Sequence, residues 1–171
     1  MIPPEPDVTL IEVAAEEVGA VAEMASRIWP TAYGMILPPG QIEFMLSRMY
    51  APARLLQDRE DGIDLLWILI EGERTGFLAA GPVARDGACP LHKLYLLPGS
   101  QRGGVGTAAM ARLYERLTGS GARSLELRVN RHNAAAIGFY RKNGFLVFAE
   151  DCREIGGGYA MDDYLMRLEL V

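Results

Sequence analysis

The stretch Lys93–Gly106, Lys-Leu-Tyr-Leu-Leu-Pro-Gly-Ser-Gln-Arg-Gly-Gly-Val-Gly, constrains this chain more than any other. Leu94 to Leu97 form an apolar run that Pro98 and Gly99 end, as a buried strand does. Val105, Ala109, Leu113 and Leu117 then recur every four residues, the spacing of one helical face. A strand therefore passes into a helix through a loop of turn residues. The start of such a helix leaves backbone N–H groups without intrahelical partners and carries the positive end of the helix dipole. Gly103, Gly104 and Gly106 lack the side chains that would hold a large anion away, and Gln101 and Arg102 add donors beside them. The stretch reads as a phosphate cradle; a ligand-free glycine turn is the plainer alternative.

The other elements fall around this unit. Residues 1–6 are expected to be a loose tail. Val8, Leu10 and Ile11 mark a strand; Val18, Val21, Ala22, Ala25 and Ile28 mark a helix over 15–29 that Pro30 ends. A second helix carries Ile42, Met45, Leu46 and Met49 after the turn Pro38-Pro39-Gly40. Strands at 64–71 and 75–83 are joined by Gly72-Glu73-Arg74, and the strand entering the glycine loop follows Asp86-Gly87. Gly119 and Gly121 stop the central helix, after which Leu125, Leu127 and Val129 alternate with Glu126, Arg128 and Asn130 in a half-exposed strand. Asn133 caps a helix that runs to Asn143 and stops at Gly144. The last two strands, 145–153 and 159–170, flank Gly156-Gly157-Gly158. This order predicts one α/β domain over residues 1–171, with helices flanking a mixed sheet and no regular βαβ array.

Composition narrows the ligand. A formal net charge of −5 argues against a nucleic-acid surface and favours cationic small substrates. Cys89 and Cys152 have no Cys or His at metal-ligand spacing, so they read as thiols in a reducing cytoplasm, with no metal. No apolar run of about 18 residues exists, and Met-Ile-Pro-Pro-Glu-Pro-Asp is not a signal peptide, so a soluble cytoplasmic protein with no membrane partner is expected. No Lys-Ser or Lys-Thr follows the glycines, which disfavours a nucleoside triphosphate site. Gly104-Val105-Gly106-Thr107-Ala108-Ala109 does satisfy the dinucleotide pattern, with Glu126 about twenty residues on as its ribose acid. It arrives after antiparallel-looking strands, however, with a single strand–helix unit behind it.

Gln101-Arg102-Gly103-Gly104-Val105-Gly106 matches the form Gln/Arg-x-x-Gly-x-Gly/Ala, and Asn133 to Phe145 matches Asn-x-x-Ala-x-x-Phe-Tyr-x-x-x-Gly-Phe. In these two motifs the chain resembles the Gcn5-related N-acetyltransferases (GNAT). Element order agrees over the whole chain and the motifs over residues 91–166; Glu154 to Met166 resembles a signature of a bacterial branch with polyamine acetyltransferase-like members. The resemblance implies a GNAT-like fold with a mixed, mainly antiparallel central sheet. It implies transfer of an acetyl group from acetyl-coenzyme A to a primary amine of a small molecule by direct attack, without a metal. The backbone of Leu94, Tyr95 and Leu96 would hold the pantetheine arm, and Gln101, Arg102, Gly103, Gly104, Val105 and Gly106 the pyrophosphate. Asn133 and Tyr140 would touch the cofactor, with Tyr140 as general acid to the thiolate, and many members are homodimers. Polyamine, amino-acid, aminoglycoside and protein N-terminal acceptors all stay open.

Some members carry Glu at the position of Arg128, and a guanidinium accepts no proton at neutral pH. His92, on the strand entering the loop where other members carry a histidine, is the replacement base, with Glu126 and a water chain as alternatives. Trp29 and Tyr33 are expected to wall the acceptor pocket, against plain packing; Asp162 and Asp163 are expected to attract a cationic amine, against a solvated turn. The missing Glu keeps a rival open: an acyl-coenzyme A-binding sensor or partner-binding module that lost turnover. An NAD-dependent oxidoreductase ranks third.

Overall fold

The computed structural model describes residue 1 and residues 4–170; of the expected tail, residues 2 and 3 lie outside the described residues and 4–6 form no regular element. The elements are β1 (Val8–Glu12), α1 (Val18–Tyr33), α2 (Pro39–Met49), α3 (Pro52–Glu60), β2 (Asp64–Ile70), β3 (Glu73–Ala80), β4 (Ala88–Leu96), α4 (Val105–Leu117), β5 (Ser124–Asn130), α5 (Ala134–Lys142), β6 (Leu146–Gly156) and β7 (Tyr159–Glu169). The strands form a seven-stranded sheet in the order β1-β2-β3-β4-β5-β7-β6. Every neighbouring pair is antiparallel except β4 and β5, so the sheet is the mixed, mainly antiparallel one expected. No helix among the described residues is long and apolar enough to cross a membrane.

The sheet is covered unequally. On one face Val105, Ala109, Met110 and Leu113 of α4 and Ile137 of α5 pack on Leu66, Leu78, Leu91, Leu125, Leu127 and Met166, drawing on every strand from β2 to β5 and on β7. On the other face α1, α2 and α3 pack Val21, Ile28, Trp29, Met45 and Leu55 against Leu65, Trp67, Phe77 and Ala79 of β2 and β3. That second core takes only Ile155 and Met161 from β6 and β7, at its margin. The half of this face formed by β5, β7 and β6 is therefore left to polar side chains, among them Glu126, Arg128, Arg153 and Arg167.

Three local expectations need correction. Pro30 does not end α1, which continues to Tyr33; proline removes one N–H, and the final turn is secured by Gly34 N donating to Pro30 O and by the Trp29 and Tyr33 rings at 4.7 Å. The β2–β3 turn is two residues, not three: Glu71 and Gly72 both have positive φ, as a tight hairpin of this twist requires. A third helix, α3, was not expected; it opens on Pro52 and buries only Leu55 and Asp58, too little to leave an apolar stripe.

Candidate active site

β4 and β5 touch only at their starts, with Ala88, Cys89 and Pro90 registered on Ser124, Leu125 and Glu126. Beyond Pro90, which has no N–H to continue a ladder, β4 stays on β3 while β5 stays on β7, and the sheet splits. Among the described residues, the edge of β4 facing the split has no strand partner over Leu91–Leu96. A bulge lies there too: Ala79 pairs with Lys93 and Ala80 with Leu91, so His92 faces no residue of β3. Bulges commonly re-aim side chains beside functional sites.

Two cavities meet at the split. The first, about 610 Å³, runs along Leu94–Leu96 to Gly103–Thr107 at the start of α4 and to Asn133, Phe139 and Tyr140 of α5. The second, about 660 Å³, runs to Gln41 and Phe44 of α2 and to Arg153, Met161 and Asp163 on β6 and β7. Tyr33, His92, Lys93, Tyr95, Leu127 and Arg128 line both.

The first cavity has the chemistry of an anion and amide site. Gly104 is the N-cap of α4 with φ 78°, a left-handed conformation, and has no side chain to cap the helix. The first intrahelical bond runs from Ala108 N to Gly104 O, so the N–H groups ahead of it are free of the helix ladder. Among the described residues, a Cβ on Gly103 would meet nothing within 4 Å and one on Gly104 only Pro6 at 3.9 Å, so these residues leave space over the loop. A Cβ on Gly106 would instead strike the Phe139 ring at 2.9 Å, which brings α4 and α5 close. Gln101 lines the cavity while its Nε2 donates to Leu96 O at 3.2 Å; Arg102 is exposed and lies outside the lining. Asn133 caps α5, its Oδ1 accepting from Ala136 N at 3.1 Å, and it also lines the cavity. Both expectations for that residue are thus geometrically compatible.

The junction is aromatic and holds its protons tightly. Tyr33 and Tyr95 share a hydroxyl hydrogen bond of 2.8 Å beside the buried Trp29. Burial pushes the phenols of Tyr33, Tyr95 and Tyr140 above the ordinary tyrosine value. All three are therefore neutral phenols at physiological pH. His92 Nε2 lies 2.8 Å from Gly81 O; a carbonyl only accepts, so Nε2–H donates this bond, and in a neutral ring the lone pair falls on Nδ1. Lys93 is almost wholly buried, 3.9 Å from Asp58 of α3 and over the Tyr50 ring. Burial pulls its pKa down, against the opposing attraction of Asp58.

The acidic candidates separate. Glu126 lines only the second cavity and is paired with Arg167 at 2.7 Å, away from the glycine loop, so the dinucleotide reading loses its ribose acid. Arg128 is paired with Asp151. Asp162 is held by Arg131 Nε at 2.8 Å and lines neither cavity, because successive strand residues face opposite ways. Its neighbour Asp163 is buried and lines the second cavity. Trp29 both packs the core and lines that cavity, and Tyr33 faces both cavities. Lys93 and Asp58 were not anticipated; a lysine before an apolar run gives no sign of burial.

The profile of the acetyltransferase (GNAT) family matches residues 22–145. An uncharacterised N-acetyltransferase of Mycobacterium tuberculosis is 31% identical over 160 residues, covering 92% of this chain and 98% of the relative. Among solved structures, the PaiA N-acetyltransferase of Thermoplasma acidophilum in complex with coenzyme A superposes with a TM-score of 0.78 at 23% identity, over 95% of this chain and 99% of that one. YncA of Salmonella typhimurium, with acetyl-coenzyme A, gives 0.65 at 18%, over 96% and 95%. At such identities the two structures speak to the fold.

Proposed function

The chain belongs to the acetyltransferase (GNAT) family, and from that premise we propose that it acetylates a primary amine of a small, polyamine-like molecule. It is an acetyl-coenzyme A-dependent N-acetyltransferase. The observation that carries the acceptor reading is the split in the sheet: two cavities of different chemistry share one wall, so two substrates can meet there without passing through bulk water.

Acetyl-coenzyme A supplies the thioester acyl group and the thiolate that leaves. The free N–H groups at the start of α4, with Gly103, Gly104, Val105 and Gly106 beneath and Gln101 and Arg102 at the rim, would receive its pyrophosphate. The unpaired edge of β4 at Leu94, Tyr95 and Leu96 would bond its amides, and Asn133 Nδ2 stays available as a donor beside them. Tyr140 Oη, protonated at neutral pH, would give its proton to the departing sulfur. His92 Nδ1 would take the proton of the incoming amine. Trp29 and Tyr33 would wall the acceptor side and exclude water.

Release of coenzyme A from acetyl-coenzyme A tests this with a panel of diamines, amino acids, aminoglycosides and peptides. Turnover is expected with small diamines, and loss of either proton-handling group should lower kcat about 100-fold or more, for Tyr140→Phe and for His92→Ala. Tight acetyl-coenzyme A binding without turnover of any amine would instead establish the sensor reading.

A further inference from the structure

Building on the acetyltransferase reading, we infer that Asp163 is the residue that selects the acceptor: its Oδ2 accepts a hydrogen bond from an ammonium group of the amine in the second cavity. Asp163 sits in the middle of β7, registered on Asn130 of β5 and on Asp151 of β6, so its backbone belongs to two ladders. Its side chain lines the cavity at 2% exposure, and Oδ2 is buried with no hydrogen-bond partner among the described residues. A buried carboxylate oxygen without a protein donor is expensive to keep in a fold. An apolar residue would pack there at less cost, so the carboxylate has a purpose that packing does not supply.

The other acidic side chains of the cavity are already engaged. Glu126 is paired with Arg167 at 2.7 Å, and Asp58 with Arg54 at 2.8 Å and Lys93 at 3.9 Å. Arg128 of β5 and Arg153 of β6 favour the charge on Asp163, Asp151 of β6 and its neighbour Asp162 oppose it, and Arg128 is itself held by Asp151. Burial outweighs these neighbours and leaves the carboxyl above the ordinary aspartate range. A bound ammonium supplies the missing donor and restores the charge, which a neutral ligand cannot do. Tyr33 of α1 lines both cavities and Asp163 lines the second, so the anchored acceptor lies in the cavity that opens on the junction. Amine affinity is accordingly lost as pH falls through the Asp163 value, because the protonated carboxyl no longer attracts a cation.

The test uses the full chain with ¹³C-carboxyl aspartate, saturated with coenzyme A, the Asp163 resonance being assigned with Asp163→Asn. Added 1,4-diaminobutane should shift that resonance saturably and lower its titration midpoint, whereas 1,4-butanediol should not. In turnover assays Asp163→Asn should raise KM for the diamine about 100-fold and leave KM for acetyl-coenzyme A unchanged. Asp162→Asn, whose carboxylate is held by Arg131, should leave both unchanged. A resonance that ignores the diamine overturns the inference, whether or not the diamine is acetylated. A resonance that shifts without any turnover upholds the anchor and defeats the acetyltransfer reading instead.

Discussion

Asp58→Asn is the perturbation whose cost the structure fixes most directly. Asp58 Oδ2 lies 3.9 Å from Lys93 Nζ, and the two side chains are 9% and 7% exposed. At that separation and an effective dielectric near 20, the attraction is about 4 kcal/mol. Removing one member of a buried pair strands the other, at a cost of about 3–5 kcal/mol. Arg54, the second partner of Asp58, is 63% exposed and simply returns to water. With 171 residues the unfolding entropy near 60 °C is about 0.36 kcal/mol/K, so a loss of 3 kcal/mol lowers Tm by about 8 °C. The pH dependence follows from Lys93, whose pKa burial already lowers and which falls further without Asp58. A lysine depressed in the folded state binds fewer protons there than in the unfolded chain, so the deficit is full below the folded value and shrinks as pH rises towards the ordinary lysine range. Thermal and urea unfolding of wild type, Asp58→Asn, Lys93→Met and the double variant, at about pH 7 and about pH 10, checks each step. The double variant should recover most of what Asp58→Asn loses, since no charge is then stranded. If Asp58→Asn lies within about 0.5 kcal/mol of wild type, or the double variant is less stable than either single one, Lys93 is not held by this pair.

Two further substitutions probe the cofactor side. Gly106→Ala places a Cβ at 2.9 Å from the Phe139 ring, which packs on Tyr140 at 5.2 Å, so it should cost about 1–3 kcal/mol in urea unfolding and weaken acetyl-coenzyme A in calorimetry. Unchanged stability and affinity would mean that the ring moves aside freely. Asn133→Ala removes the cap on Ala136 N and should lose about 1 kcal/mol, whereas Asn133→Asp keeps the cap. Weaker acetyl-coenzyme A binding by the Asp variant at full stability would assign the amide Nδ2 to the cofactor, and equal binding would leave Asn133 as a cap alone.

What the sequence disclosed followed from how local each constraint is. The glycine loop and the cap of α5 were legible because φ sign, missing side chains and an orphan N–H are properties of a few adjacent residues, and Gly104 and Asn133 stand where those demands place them. Longer-range facts left no such trace. Asp162 and Asp163 are adjacent polar residues, and only the register of β7 on β5 decides which one faces the cavity. Lys93 reads like any surface lysine until α3 brings Asp58 against it, and α3 itself hides because its burial amounts to Leu55 and Asp58. Pro30 misled for a related reason: the aromatic contacts of Trp29 and Tyr33 outweigh one missing N–H.

The split would account for the placement of the proton-handling groups proposed above, Tyr140 and His92. A strand edge without a partner exposes alternating donors and acceptors, and β4 has such an edge over Leu91–Leu96 because Pro90 ends the ladder to β5. In the proposed binding mode a ligand rich in amides would pair with that edge as a neighbouring strand does, and its reactive end would be directed along β4 towards the point where the strands diverge. The second cavity opens at the same point, because β5 leaves β4 while α1 to α3 pack mainly on the β2–β3 half of that face. Tyr33, His92 and Tyr95 stand at this junction, and Tyr140 lines the first cavity beside it. Substitutions there act on two substrates at once and so reach kcat, whereas Asp163 lies in the second cavity alone and should act through the KM of the amine. The topology that opens the sheet thus also divides the kinetic roles.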